Sequence, residues 1–149
     1  MVFWRISAFP DLSGRGGMLA SGRWHRAGCP VVYLADTPAG AMLEVLVHLE
    51  IDPDDFPDNL RLIRVELPDD VAKRSVSDLP DLWEDQKLLT QAIGDAWLQA
   101  NESLLLTVPS AVMPHTNNFL FNPMHPDAAK ANVIVETLRL DRRLLGARF

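Results

Sequence analysis

PVVYLADTPAGAMLEVLVHLE, Pro30 to Glu50, is the stretch whose reading decides the fold. Val31 to Ala35 reads as a strand introduced by Pro30. Thr37-Pro38 then supplies a hydroxyl N-cap with proline at the first helical position, where its missing N–H costs nothing. The spacing predicts a helix from Pro38 to about Glu50 that stops before Asp52-Pro53, because the residue preceding a proline is pushed out of the helical region. One residue in this helix is out of place. Glu44 has Ala41, Leu43, Val45 and Val47 around it, so no side of the helix offers it a fully solvated face. A carboxylate in such surroundings costs several kcal/mol unless it is paired or hydrogen-bonded. Two readings stand: a functional acid, or a structural acid paired with an arginine or lying at an edge.

Outward from that segment, Val2 to Ser7 reads as a short apolar strand interrupted by Arg5. A loop follows in which Gly14, Gly16, Gly17 and Gly22 loosen the backbone. Leu60 to Leu67 alternates as a half-buried strand does, with Leu60, Leu62, Val65 and Leu67 apolar. Asp69 to Asp81 is polar and reads as irregular. Leu88 to Ala100 has helical spacing through Leu89, Ala92, Ile93, Ala96 and Trp97, and Leu104 to Val108 is a further strand ended by Pro109. Asn117 to Pro126 reads as an ordered loop around a short strand, Phe119 to Phe121, and Asn132 to Leu140 as the last strand. The expected class is α+β: a single domain over residues 1–149, with a mixed sheet and two main helices.

With 149 residues, 48% of them hydrophobic and 23% charged, the chain can bury a core without staples. Cys29 is the one cysteine, which excludes an internal disulfide and a cysteine-based zinc site. No apolar stretch approaches the roughly 20 residues a bilayer requires. MVFWRIS lacks a basic region followed by an apolar run, so no signal peptide is expected and the reducing cytoplasm is the simplest compartment. The formal net charge of −6 argues against a nucleic-acid partner. Yet Arg5, Arg15, Arg23 and Arg26 lie in a segment whose first 35 residues hold a single acid, Asp11. That pattern suggests a local anion site in an acidic protein.

Several further residues carry a functional and a bland reading side by side. Arg5 offers a permanently charged fork suited to phosphate or carboxylate, or it pairs with Glu44 or faces water at a sheet edge. Arg23-Trp24-His25 follows the glycine-rich loop as G-R-W-H; arginine and an aromatic ring together suit a nucleotide, and equally make a packing corner. Tyr33 is a stacking ring or a core ring with a satisfied hydroxyl. Ser110, in V-P-S, lacks a G-x-S-x-G frame and reads as a cap or turn when taken alone. The four histidines have no metal-ligand spacing, so no metal is expected, and His48 lies one helical turn from Glu44.

Taken together, these stretches resemble the RES domain, named for an arginine, a glutamate and a serine. The resemblance rests on F-W-R-I-S at Phe3 to Ser7, G-R-W-H at Gly22 to His25 and P-V-V-Y-L-A at Pro30 to Ala35. It continues through A-M-L-E-V-L-V-H at Ala41 to His48, V-P-S-A at Val108 to Ala111 and N-F-L-F-N-P-M-H-P at Asn118 to Pro126. The family comprises toxins of bacterial RES–Xre toxin–antitoxin pairs that resemble ADP-ribosyltransferases in fold and break the nicotinamide–ribose bond of NAD. The resemblance implies Arg5, Tyr33, Glu44 and Ser110 as catalytic residues, with Arg23 a rival for the family arginine. It implies Arg5, Arg23, Trp24, Tyr33 and Asn122 as substrate-binding residues, Tyr33 and Ser110 lying at the nicotinamide end. NAD is substrate and no resident cofactor is implied. The implied partner is an Xre-type antitoxin, with a homodimer inside that complex and a protein acceptor of ADP-ribose as further expectations. Cleaving this bond develops an oxocarbenium ion, which a carboxylate in a dry site stabilises. Two rival classes are a target-specific ADP-ribosyltransferase and a non-catalytic module that only docks its partner.

Overall fold

The computed structural model describes residues 1–48 and 56–146. Seven strands form one sheet: β1 (Val2–Ser7), β2 (Val32–Ala35), β3 (Arg61–Glu66), β4 (Lys73–Ser75), β5 (Leu105–Pro109), β6 (Asn117–Phe121) and β7 (Asn132–Thr137). Their spatial order is β4-β5-β6-β2-β1-β3-β7. β4 and β5 run parallel and every other neighbouring pair antiparallel, so the sheet is mixed. The helices are a short α1 (Arg15–Leu19) and two longer ones, α2 (Pro38–His48) and α3 (Lys87–Ala100). This is the expected α+β architecture with two main helices.

Alternation along the strands divides the core between the two faces of the sheet. Phe3, Val32, Leu34, Ile63, Val65, Leu105 and Phe121 pack on one face. Trp24, Trp97, Leu106, Val108 and Leu120 pack on the other, with Tyr33 against them. α3 lies on this second face and buries Thr90, Gln91, Gly94 and Trp97. Gly94, in the middle of a helix where glycine is otherwise unfavourable, has a direct cause. A Cβ there would sit 1.6 Å from the Trp24 carbonyl oxygen.

The sheet has one weak seam. β1 shares six register pairs with β3 but only Trp4↔Ala35 with β2. β2 in turn holds four pairs with β6. Two well-laddered halves therefore meet at a single pair, and the chain edges beyond it are free to wall a cleft.

The elements differ from expectation where local pattern is a poor guide. Asp69 to Asp81, expected irregular, contains β4, whose three exposed residues hold their place by parallel pairing with β5. Arg15–Leu19, expected as loop, is the short helix α1. β6 begins at Asn117, two residues before the expected strand, and β7 ends at Thr137 where Leu140 was expected. The start of α2 follows the sequence reading: Thr37 Oγ1 accepts a 3.0 Å bond from the Gly40 N–H. The expected end of that helix near Glu50 lies outside the described residues. None of the described helices is long and apolar enough to cross a membrane.

Candidate active site

A cavity of about 860 Å³ opens at the seam. Trp4 to Phe9 of the β1 edge and Val31 to Ala35 around β2 form its flanks. Glu44 and His48 of α2, the G-R-W-H corner and Asn118 complete the wall. This volume lies within the usual range for small-molecule sites.

Glu44 is held by partners far away in sequence. Its side chain is 25% exposed. Oε1 accepts 2.8 Å from Asn118 Nδ2 and 3.1 Å from Ser110 Oγ. His48 Nε2 stands 3.7 Å from Oε2, the one-turn approach the helix spacing allows. No described arginine pairs with this carboxylate, so the structural reading of Glu44 as half of an Arg–Glu pair does not hold.

Ser110 is buried at the end of β5 and does not itself line the cavity. Its oxygen accepts from the backbone N–H groups of Val112 and Met113 at 3.1 and 3.2 Å. The hydroxyl proton goes to Glu44. Ser110 is thus a turn residue, as its surroundings suggest, and also a hydrogen-bond donor to the acid. Ser110, which the resemblance puts at the nicotinamide end, thus stands behind Glu44.

Two arginines line the same cavity. Arg5 lines the cavity and donates through Nη1 to the Asp11 carbonyl at 3.0 Å. Burial lowers the pKa of its guanidinium from the ordinary value, and the charge of Asp11 opposes that effect. The Asp11 carboxylate is engaged elsewhere: hydrogen bonds from the Ser13 hydroxyl and N–H hold its pKa below the usual range. Arg23 also lines the cavity and donates to the Glu84 carbonyl at 2.6 Å. Among the described residues neither arginine has a carboxylate within 4.0 Å. A desolvated guanidinium bonded only to a carbonyl is stabilised by any anion that enters the cleft.

Tyr33 projects from β2 into the corner between these walls. Its hydroxyl lies 2.8 Å from His25 Nδ1 and accepts 3.2 Å from the Trp24 N–H. His25 Nε2 lies 3.1 Å from the Gly17 carbonyl, which can only accept, so in the neutral imidazole Nδ1 is left to accept the phenol proton. Burial pushes the Tyr33 phenol well above its ordinary range, while the Trp24 N–H pulls it down. Gly22 is the floor of this nook: a Cβ there would meet the Tyr33 hydroxyl at 2.5 Å. Thr90 and Gln91 of α3 fasten the same corner by bonding the Arg23 and Gly22 carbonyls at 2.6 and 3.0 Å.

One expected substrate-binding residue is nearly enclosed and another lies away from the cavity. Trp24 lines the cavity but is 2% exposed, its ring packed beside Trp83 with centroids 5.6 Å apart. Its neighbour Arg23 keeps its place on the wall; the G-R-W-H corner is packing and site at once. Asn122 is 1% exposed and does not line the cavity. Its amide donates to Asn101 at 2.9 Å and its carbonyl accepts from the Met124 N–H at 3.0 Å, the bonding of a loop anchor.

Two residues were overlooked at the site. Asn118 lies in the quoted N-F-L-F motif, and its alternation with Leu120 places it on the face that meets α2. His25, in the quoted G-R-W-H motif, fastens the site tyrosine through Nδ1. Among the described residues no group of three His, Cys, Asp or Glu side chains is placed to hold a metal ion.

The RES domain profile matches residues 2–143, and the chain belongs to the RES domain family. Among curated relatives, "Toxin Res" of Pseudomonas putida is 56% identical over 144 residues, covering 97% of this chain and 99% of that protein. "Prs ADP-ribosylating toxin" of Sphingobium sp. is 38% identical, covering 85% and 84%. The fold is also that of the toxin–antitoxin complex MbcT–MbcA of M. tuberculosis: TM-score 0.69 at 20% identity, over 97% of this chain and 86% of that one.

Proposed function

We propose that this chain is the toxin of a toxin–antitoxin pair and that it breaks the nicotinamide–ribose bond of NAD in the bacterial cytoplasm. The observation that carries the reading is Glu44, a carboxylate on the cavity wall with one oxygen fixed by Ser110 and Asn118. Such an acid faces developing positive charge without having to reorganise, which is where preorganised electrostatics contribute most. Arg5 and Arg23 would take the pyrophosphate, the anion their unpaired guanidinium groups lack. Tyr33 would present its ring to nicotinamide, because its hydroxyl is already engaged twice. Electron density follows the leaving nicotinamide, the ribose carbon becomes oxocarbenium-like, and water or inorganic phosphate closes on it. NAD is consumed as substrate. Three curated relatives carry the name "Toxin Res", which supports the toxin assignment; the partner we propose is an Xre-type antitoxin.

Purified protein incubated with NAD, in water and in phosphate buffer, tests this directly. Free nicotinamide should appear, with ADP-ribose or its 1-phosphate as the second product. NAD left intact over hours at micromolar enzyme would overturn the proposal. The Sphingobium relative's name favours a second reading, transfer of ADP-ribose to a protein. NAD labelled in its adenylate half and incubated with lysate separates the two, since label retained on a protein band reports transfer.

A further inference from the structure

Among the described residues two side chains hydrogen-bond the Glu44 carboxylate, Ser110 and Asn118, and the shorter bond comes from Asn118. We propose that Asn118 is a positioning residue for Glu44. Its amide and the Ser110 hydroxyl pin Oε1 and so leave Oε2 as the single oxygen the carboxylate offers to a ligand. The inference rests on the functional reading above for its chemistry and on geometry alone for the contact.

Three features carry it. A carboxylate only accepts, so the Asn118 group 2.8 Å from Oε1 is the N–H₂ end, a donor to a charged acceptor and the stronger kind of hydrogen bond. The two donors come from separate places, β6 and the end of β5, and β5 pairs with β6 as Val108↔Asn118. They therefore approach from one rigid ladder while the acid rides on α2. Oε2 accepts no hydrogen bond among the described residues; the exposed imidazole of His48 stands 3.7 Å from it. A glutamate has three rotatable bonds. Fixing one oxygen from two directions removes most of that freedom before substrate arrives, which is what a charge aimed at a transition state requires.

Two measurements test the assignment, one without any substrate. In the ligand-free protein, the Asn118 side-chain amide protons should resonate downfield for the bonded hydrogen, and Glu44→Ala should return that signal to the free-amide position. An Asn118 signal unmoved by Glu44→Ala overturns the coupling whatever the enzyme acts on. In the NAD assay, Asn118→Ala and the same-shaped Asn118→Asp, both checked for a parental melting curve, should lower kcat about tenfold or more. KM should stay within about twofold, because a mispointed acid weakens the transition state more than the ground state. The Asp variant keeps the assay informative if Ala does not fold. A raised KM at unchanged kcat also overturns the assignment, since it would mean Asn118 binds substrate directly. A parent protein that leaves NAD intact refutes the functional reading by itself, and the amide signal still decides the contact.

Discussion

The two walls of the cleft are built on opposite principles. Glu44 is tied by side chains 66 and 74 positions away, both aimed at one oxygen. Arg5 and Arg23 are bonded to backbone carbonyls, those of Asp11 and Glu84, and among the described residues neither has a carboxylate within 4.0 Å. Had Arg5 paired with Glu44, each would have neutralised the other and the cleft would hold a structural ion pair. Keeping them unpaired leaves a fixed negative charge and unsatisfied positive charge lining one cavity. An acid wall finished in advance suits a group that must not move during reaction. A cationic wall left incomplete suits one that a ligand is meant to complete.

The sharpest way to break this comparison is at the acid. Glu44→Gln keeps shape and the Ser110 and Asn118 contacts but removes the charge, so the fold should persist while NAD cleavage falls roughly a hundred- to thousandfold. Circular dichroism and a nicotinamide-release assay on the same preparation check it. Near-parental turnover would reduce Glu44 to a structural acid and remove the contrast between the walls.

The cationic wall should respond differently, in binding. Arg5→Ala is expected to raise KM for NAD by about ten- to a hundredfold, and Arg23→Ala by less, since loss of a charge-assisted contact costs about 1.5–3 kcal/mol and is smaller where water screens it. Salt dependence of KM should flatten in both. The same variants probe the partner: if an antitoxin places an acidic group against this wall, both should bind it more weakly. Unchanged antitoxin binding with unchanged salt dependence would mean that inhibition uses another surface.

Much of this arrangement was readable in the chain, and the exceptions have a common cause. The alternation of Leu60 to Leu67 and the apolar setting of Glu44 are local signals: the first led to β3, and the second singled out an acid that lines the cavity. What Glu44 bonds to was not readable, because Ser110 and Asn118 meet it only through the β5–β6 ladder. β4 was missed because Lys73, Arg74 and Ser75 have no apolar face, and its partner strand lies some thirty residues on. The enclosure of Trp24 was missed for the same reason. Arginine beside tryptophan looks like a nucleotide platform until Trp83 and Trp97 arrive from distant segments to bury the ring. Asn122 was carried over with its motif, and only the fold shows its amide turned to Asn101.

The smallest expected effect concerns the corner that joins the walls, and one fact of composition makes it measurable. Tyr33 is the only tyrosine in the chain, so phenolate absorbance in an alkaline titration reports this residue alone. Its folded pKa is raised above the ordinary value of 10.0, chiefly by burial. The unfolded chain therefore loses the phenol proton first. The stability this group contributes is complete below the ordinary value and is lost as pH climbs from there through the raised folded value. Phenolate absorbance in the parent should thus stay silent past pH 10 and then rise together with loss of the circular dichroism signal. His25→Ala removes the acceptor of the phenol proton and opens the nook beside Gly22 to water, so phenolate should appear at lower pH, before the fold is lost. A parent protein whose tyrosine titrates freely near its ordinary value while fully folded would show that the G-R-W-H corner does not enclose the ring.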